Sequence, residues 1–209
     1  VRFIKLFEEF VNDIKLNEIG DGGKSFDYTL NKGKLGGYQA YSGKFTTAKN
    51  RSYNVTLKDA SPNFFTDMNA NTPQFGESSH AVRFAGAFRQ NDTPGKNELL
   101  ANLKKLDQSD VAMYDIDFTA DGTFKETNDG EMYPVMGTVV KMIKEVYDKE
   151  SPKKLFIFTF FSYPKPGETA GSANKRTKLY LAFFKMSGMT NFKMAEAQNR
   201  VVIAEFEGL

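Results

Sequence analysis

Hydrophobic positions along the chain change period several times, and each change marks an expected element. Phe3, Phe7, Phe10 and Ile14, with Ile4 and Val11 beside them, recur at helical spacing, while Glu8, Glu9, Asn12 and Asp13 occupy the other side. Residues 1–19 therefore read as an amphipathic helix, and Gly20-Asp21-Gly22-Gly23 breaks it as part of a hinge over residues 20–25. Two uses are open to that helix: packing on the domain that follows, or detaching to bind a partner through Phe3, Phe7 and Phe10.

From residue 26 onward the period shortens to two. Residues 26–30, 38–46 and 51–58 alternate, as in Tyr53, Val55 and Leu57 against Asn54, Thr56 and Lys58, and predict antiparallel strands turned by glycines and Asn50. Residues 61–79, with two prolines and many Asn and Thr residues, read as a long ordered loop with one helical turn at most, pinned by Phe64, Phe65 and Phe75. A strand over 81–89, a short helix over 96–106, a strand over 111–119 and a brief return to the sheet at 123–125 complete the first half.

Thr127 or Asn128 is placed to cap the next helix, whose apolar stripe is Met132, Val135, Met136, Val139, Ile143 and Val146. Ser151-Pro152 stops it, and residues 155–161 are apolar enough for a strand covered on both faces. After a Pro- and Gly-rich loop over 163–172, a helix over 174–186 and a strand over 200–206 close the pattern. The expected fold is one α/β or α+β domain over residues 26–209, with a mixed, largely antiparallel twisted sheet flanked by helices.

Composition narrows the chemistry. The 209 residues carry 28 basic and 26 acidic side chains, a net charge of +2 that argues no general affinity for polyanions. With no cysteine and one histidine, disulfides, thiolate catalysis and Cys- or multi-His metal sites are excluded. His80 beside Ser78 and Ser79 makes no triad by adjacency. Charged residues interrupt the apolar positions of 1–16, so no signal peptide or membrane span is expected there, and a soluble chain follows.

Alternation places Asp115 and Asp117 on one strand face, with Asp121 nearby, where paired carboxylates can hold a divalent ion or serve as solvated surface. Lys165, Lys175, Arg176 and Lys178, joined by Lys153 and Lys154, can contact phosphate, with Tyr163 available for stacking on nucleic acid.

The order helix, apolar strand, loop, helix opening at Asn174-Lys175-Arg176 with Leu179-Tyr180, and final strand resembles the C-terminal half of the Gcn5-related N-acetyltransferase (GNAT) fold. That resemblance covers about 80 residues and implies an acetyl-CoA site at the start of the long helix, with Gly130, Asn174 and Arg176 beside the cofactor and Tyr180 as general acid. In those enzymes an Arg or Gln followed by Gly-x-Gly or Gly-x-Ala grips the pyrophosphate. Here Asn128-Asp129-Gly130-Glu131 keeps only Gly130 and adds two acids that would repel it. The expected reading is therefore a noncatalytic domain without a cofactor, the alternative being an acyl-CoA-dependent N-acyltransferase with a degenerate loop.

The same C-terminal pattern, from Thr127-Asn128-x-Gly130 through Val135-Met136-Gly137-Thr138 to Lys175-Arg176-Thr177-Lys178-Leu179-Tyr180, resembles small proteins of tailed bacteriophages. Phe3-Ile4-Lys5-Leu6-Phe7-Glu8-Glu9-Phe10 is similar to the N-terminal peptides that direct internal proteins into T4-type capsids. Leu16-Asn17-Glu18 fits the cleavage pattern of that family's maturation protease. The resemblance implies a host or capsid protein as partner, no membrane, and a place in the host cytoplasm or virion interior.

Overall fold

The computed structural model describes residues 25–69, 84, 93–122, 131–161, 183–184, 187–189, 191–197 and 200–206. The period-two segments form a meander of β1 (Tyr28–Leu35), β2 (Tyr38–Thr46) and β3 (Ser52–Asp59). Gly36 and Gly37 close the first hairpin at φ +56 and +85°, a left-handed pair that side chains with a Cβ rarely adopt. Because that turn holds Leu35 opposite Tyr38, β1 extends five residues beyond the expected end at residue 30, through the polar run Asn31 to Lys34.

Helix α1 (Ser61–Asn69) stands where a loop is expected. Pro62 fits the first turn of a helix, where its missing N–H costs nothing. The Asp59 carboxylate accepts the Ser61 amide at 2.9 Å, and the Met113 amide donates to the Ser61 hydroxyl at 2.9 Å, tying the start of α1 to the sheet. Helix α2 (Thr93–Leu103) begins three residues earlier than the expected 96–106 helix and also carries a proline, Pro94, in its first turn. Phe84, the one described residue of 81–89, is helical, contrary to the strand expected there.

A 3-10 turn (Gln108–Asp110) leads into β4 (Val111–Ala120), and helix α3 (Met132–Glu150) carries the chain to β5 (Leu155–Phe161). Glu131, rather than Thr127 or Asn128, holds the cap position of α3. Phe183 and Phe184 are helical, in line with the expected 174–186 helix. Strand β6 (Lys193–Ala197) has no counterpart in the sequence reading. It forms the edge of the sheet outside β7 (Arg200–Phe206), so residues 200–206 lie inside the sheet and do not close it.

The seven strands run in the order β1-β2-β3-β4-β5-β7-β6. Only β4 and β5 are parallel, as the crossover through α3 requires, and every other pair is antiparallel. The class is α+β with a mixed, largely antiparallel sheet. On one face Val135, Val139, Ile143 and Val146 of α3 pack on Val55, Leu57, Ile116, Phe156, Phe158 and Phe160. On the other, Phe64 of α1 and Leu99 and Leu103 of α2 cover Val111, Met113, Leu155 and Ile157. Strand β5 is thus buried on both faces, as its continuous apolar run predicts. No described helix is long and apolar enough to cross a membrane.

Candidate functional site

The ladder between β4 and β5 runs from Val111↔Leu155 to Ile116↔Phe160, after which Asp117 to Ala120 continue paired to β3 alone. The carboxyl ends of two parallel strands and the N-terminus of their crossover helix therefore meet at one end of the sheet, the place where open α/β sheets take up ligands. Free helix amides there attract anions. In this chain the negative group at that end is the protein's own. Glu131 is the N-cap residue of α3, but its side chain makes no bond to the helix amides; its Oε1 accepts the Lys49 amide at 3.3 Å, while its Oε2 is buried without a hydrogen-bond partner. The same end is tied by Thr138, whose hydroxyl accepts the Phe26 amide at 2.9 Å and donates to the Pro134 carbonyl at 2.6 Å. Asp121 is also engaged: it pairs with Arg51 at 3.0 Å and accepts the Ser52 amide at 3.0 Å, which locks the ends of β3 and β4 together.

Asp115 and Asp117 share the sheet face opposite α3, as expected. Along that row β4 changes from the buried Val111 and Met113 to the half-buried Asp115 and the exposed Asp117. The Thr159 hydroxyl donates to the Asp115 carboxylate, and the register sets Lys58 against Asp115 and Thr56 against Asp117. Among the described residues no three His, Cys, Asp or Glu side chains gather as a metal site would need. Lys153 donates to the Ser109 carbonyl at 2.8 Å and Lys154 pairs with Asp110 at 3.0 Å, so both clamp the 3-10 turn.

Three tyrosine–glutamate bonds join α3 to strands distant in sequence. Tyr28 donates to Glu145 at 2.8 Å, Tyr41 to Glu150 at 2.5 Å, and Tyr147 to Glu205 at 2.5 Å. Burial first, then the glutamate partner, pushes the Tyr28 and Tyr147 hydroxyls up to about 12. Burial, followed by the charges of Glu150 and Asp59, also raises the Tyr114 hydroxyl above its ordinary value. These phenols stay neutral, and Tyr28 and Tyr147 act as hydrogen-bond donors, not as bases.

The glutamates shift the other way. Hydrogen bonds from Lys149 and Tyr28 hold Glu145 below its ordinary value. Burial raises Glu150, but hydrogen bonds from Lys32 and Tyr41, with the Lys32 charge, outweigh it and leave the carboxyl lowered. A lowered carboxyl contributes stability that is fully present above the unfolded value of 4.5 and is lost as pH falls through the folded one. Urea unfolding midpoints from about pH 7 down to about pH 3 are therefore expected to fall below about pH 4.5. Glu150→Gln should make that acid limb shallower, and an unchanged limb would deny the carboxylate its role.

Phe3, Phe7, Phe10, His80, Gly130, Tyr163, Lys165, Asn174, Lys175, Arg176, Lys178 and Tyr180 lie outside the described residues, as do residues 1–24 as a whole. The residues that sequence reasoning missed are Lys49, whose amide meets Glu131, and the tyrosines and glutamates above. Their only signal was a tyrosine or acid on an otherwise apolar stripe. Comparison with protein-family models, curated proteins and solved structures finds no match.

Proposed function

We propose that the chain is a noncatalytic bacteriophage protein that binds a host or virion protein partner through a GNAT-like domain. The observation that carries this reading is Glu131. It puts a carboxylate on the N-cap residue of α3; that side chain leaves the helix amides unbonded, and its negative charge beside them would repel the pyrophosphate of an acyl-CoA. The succession β4, α3, β5, helical Phe183-Phe184 and, after the added strand β6, β7 supports the GNAT-like part, because apart from β6 it follows the element order of that resemblance. The apolar stripe Phe3, Phe7 and Phe10, followed by glycines, supports a partner-binding N-terminus delivered to the capsid interior or used in the host cytoplasm.

Thermal unfolding with increasing acetyl-CoA tests the reading. A specific ligand at one hundred times its dissociation constant adds about 2.7 kcal/mol of stability. No saturable rise in Tm is expected. A saturable rise would overturn the noncatalytic reading in favour of an acyl-CoA-dependent N-acyltransferase, with Tyr180 as the first residue to replace.

A further inference from the structure

Among the described residues, β1 is an outer edge of the sheet. Asn31 to Leu35 are exposed, and no described strand lies beyond them. The two-residue turn at Gly36-Gly37 makes Leu35 and Tyr38 a hydrogen-bonded pair, so by alternation Leu35, Gly33, Asn31 and Thr29 bond inward to β2. The N–H and C=O groups of Leu30, Lys32 and Lys34 then point outward, a row that another backbone can complete. The side chains of Lys32 and Lys34 stand along the same row. Lys32 is held by Glu150 at 2.7 Å with its side chain still 53% exposed, and Lys34 has no acidic partner among the described residues.

β1 and β2 carry Lys32, Lys34 and Lys44 and no acid, and the carboxylates that reach this edge, Glu145 and Glu150 of α3, are bonded to Tyr28 and Lys32. Lysines on an edge ordinarily repel further strands. They do not repel a strand bearing acids on the matching face, where opposite charges across a ladder attract. A second copy of β1, paired about a two-fold axis, would set four lysines into one short ladder and is disfavoured for the same reason. A polynucleotide lacks the alternating amides and carbonyls that the row calls for.

We propose that β1 takes up an extended acidic segment of a protein partner as an eighth strand of the sheet. This deepens the partner-binding reading above and rests on it. Leu35, the exposed large hydrophobic residue at the end of the strand, gives such a segment one apolar contact on the opposite face.

The test uses the full chain and a short capped peptide of alternating valine and glutamate, followed by fluorescence anisotropy and amide hydrogen exchange. Saturable binding is expected, with new protection at the Lys32 and Lys34 amides and little change at Asn31 and Gly33, which are already bonded. Lys32→Glu combined with Lys34→Glu should weaken binding about tenfold. Lys34→Pro should abolish it while leaving Tm in place, since the lost N–H faces outward; if that variant unfolds, the charge-reversed one carries the test. Equal binding of a valine–lysine peptide, protection elsewhere, binding of an oligothymidylate with none of the acidic peptide, or dimerisation through β1 would each overturn the proposal. If the peptide fails while acetyl-CoA leaves Tm unchanged, edge docking falls and the noncatalytic reading stands.

Discussion

Phe158→Ala is expected to lower the stability of the chain by about 3 to 5 kcal/mol, the range for truncating a buried phenylalanine. Phe158 lies on the α3 face of β5 with no exposure, and its ring centroid is 5.2 Å from Phe156, 5.8 Å from Phe192, 6.0 Å from Phe184 and 6.1 Å from Tyr114. These rings come from β4, β5, the helical Phe183-Phe184 pair and the segment before β6, so the cavity opens where several elements meet. Collapse around it is difficult because Ile157 and Thr159 on either side are buried against the opposite face. Lys44→Ala, on the exposed face of β2, should change stability by about 0.5 kcal/mol or less. Urea denaturation of both variants makes the comparison, and equal small losses would deny that β5 is the covered centre of the sheet.

The central strands were legible because burial there is regular. In β3, Tyr53, Val55 and Leu57 meet α3 and Asn54, Thr56 and Lys58 do not, so the alternation in sequence is the alternation of environments. In β5 both sets are apolar because both faces are covered. The end of β1 was not legible, since Asn31 to Lys34 are exposed on an edge and carry no apolar period; the glycine turn and pairing to β2 extend the strand. Strand β6 was missed for the opposite reason. Lys-Met-Ala-Glu-Ala favours helix locally, and pairing of Lys193 to Ala197 with β7 overrides that preference.

The site was legible only as chemistry. Acids near the start of α3 could be seen in the sequence and their effect on a pyrophosphate argued, but not that the Lys49 amide, 82 residues away, would engage Glu131. The tyrosine–glutamate bonds span 109 and 117 residues for Tyr41 and Tyr28, beyond any local spacing rule. Asp121 was legible both ways: near Asp115 and Asp117 as a third carboxylate, and with Gly122 as a turn, and its φ of +49° and its bonds to Arg51 and Ser52 bear out the turn.

Helix α1 supplies the second large prediction, because it stands where composition argued for a loop. Proline, asparagine and threonine dominate residues 61–79, but Ser61-Pro62 is also a helix opening, and Phe64 follows where the first turn faces the sheet. Phe64 has no exposure, meets Phe65 at 6.2 Å and Phe84 at 6.1 Å, and helps to seal Val111, Met113, Leu155 and Ile157 from water. Phe64→Ala should therefore cost about 3 to 5 kcal/mol, comparable to Phe158→Ala although the residue sits on the opposite face. It should also speed amide exchange in α1 itself, whose start is held to the sheet by the Ser61–Met113 bond. A loop pinned only by aromatics would give way locally, with faster exchange in residues 61–69 and little change in the global unfolding midpoint. The two outcomes are separable in one urea series with exchange read at each step. A loss confined to the local exchange would place α1 outside the cooperative core and leave the second face of β5 covered, among the described residues, by α2 and Phe84.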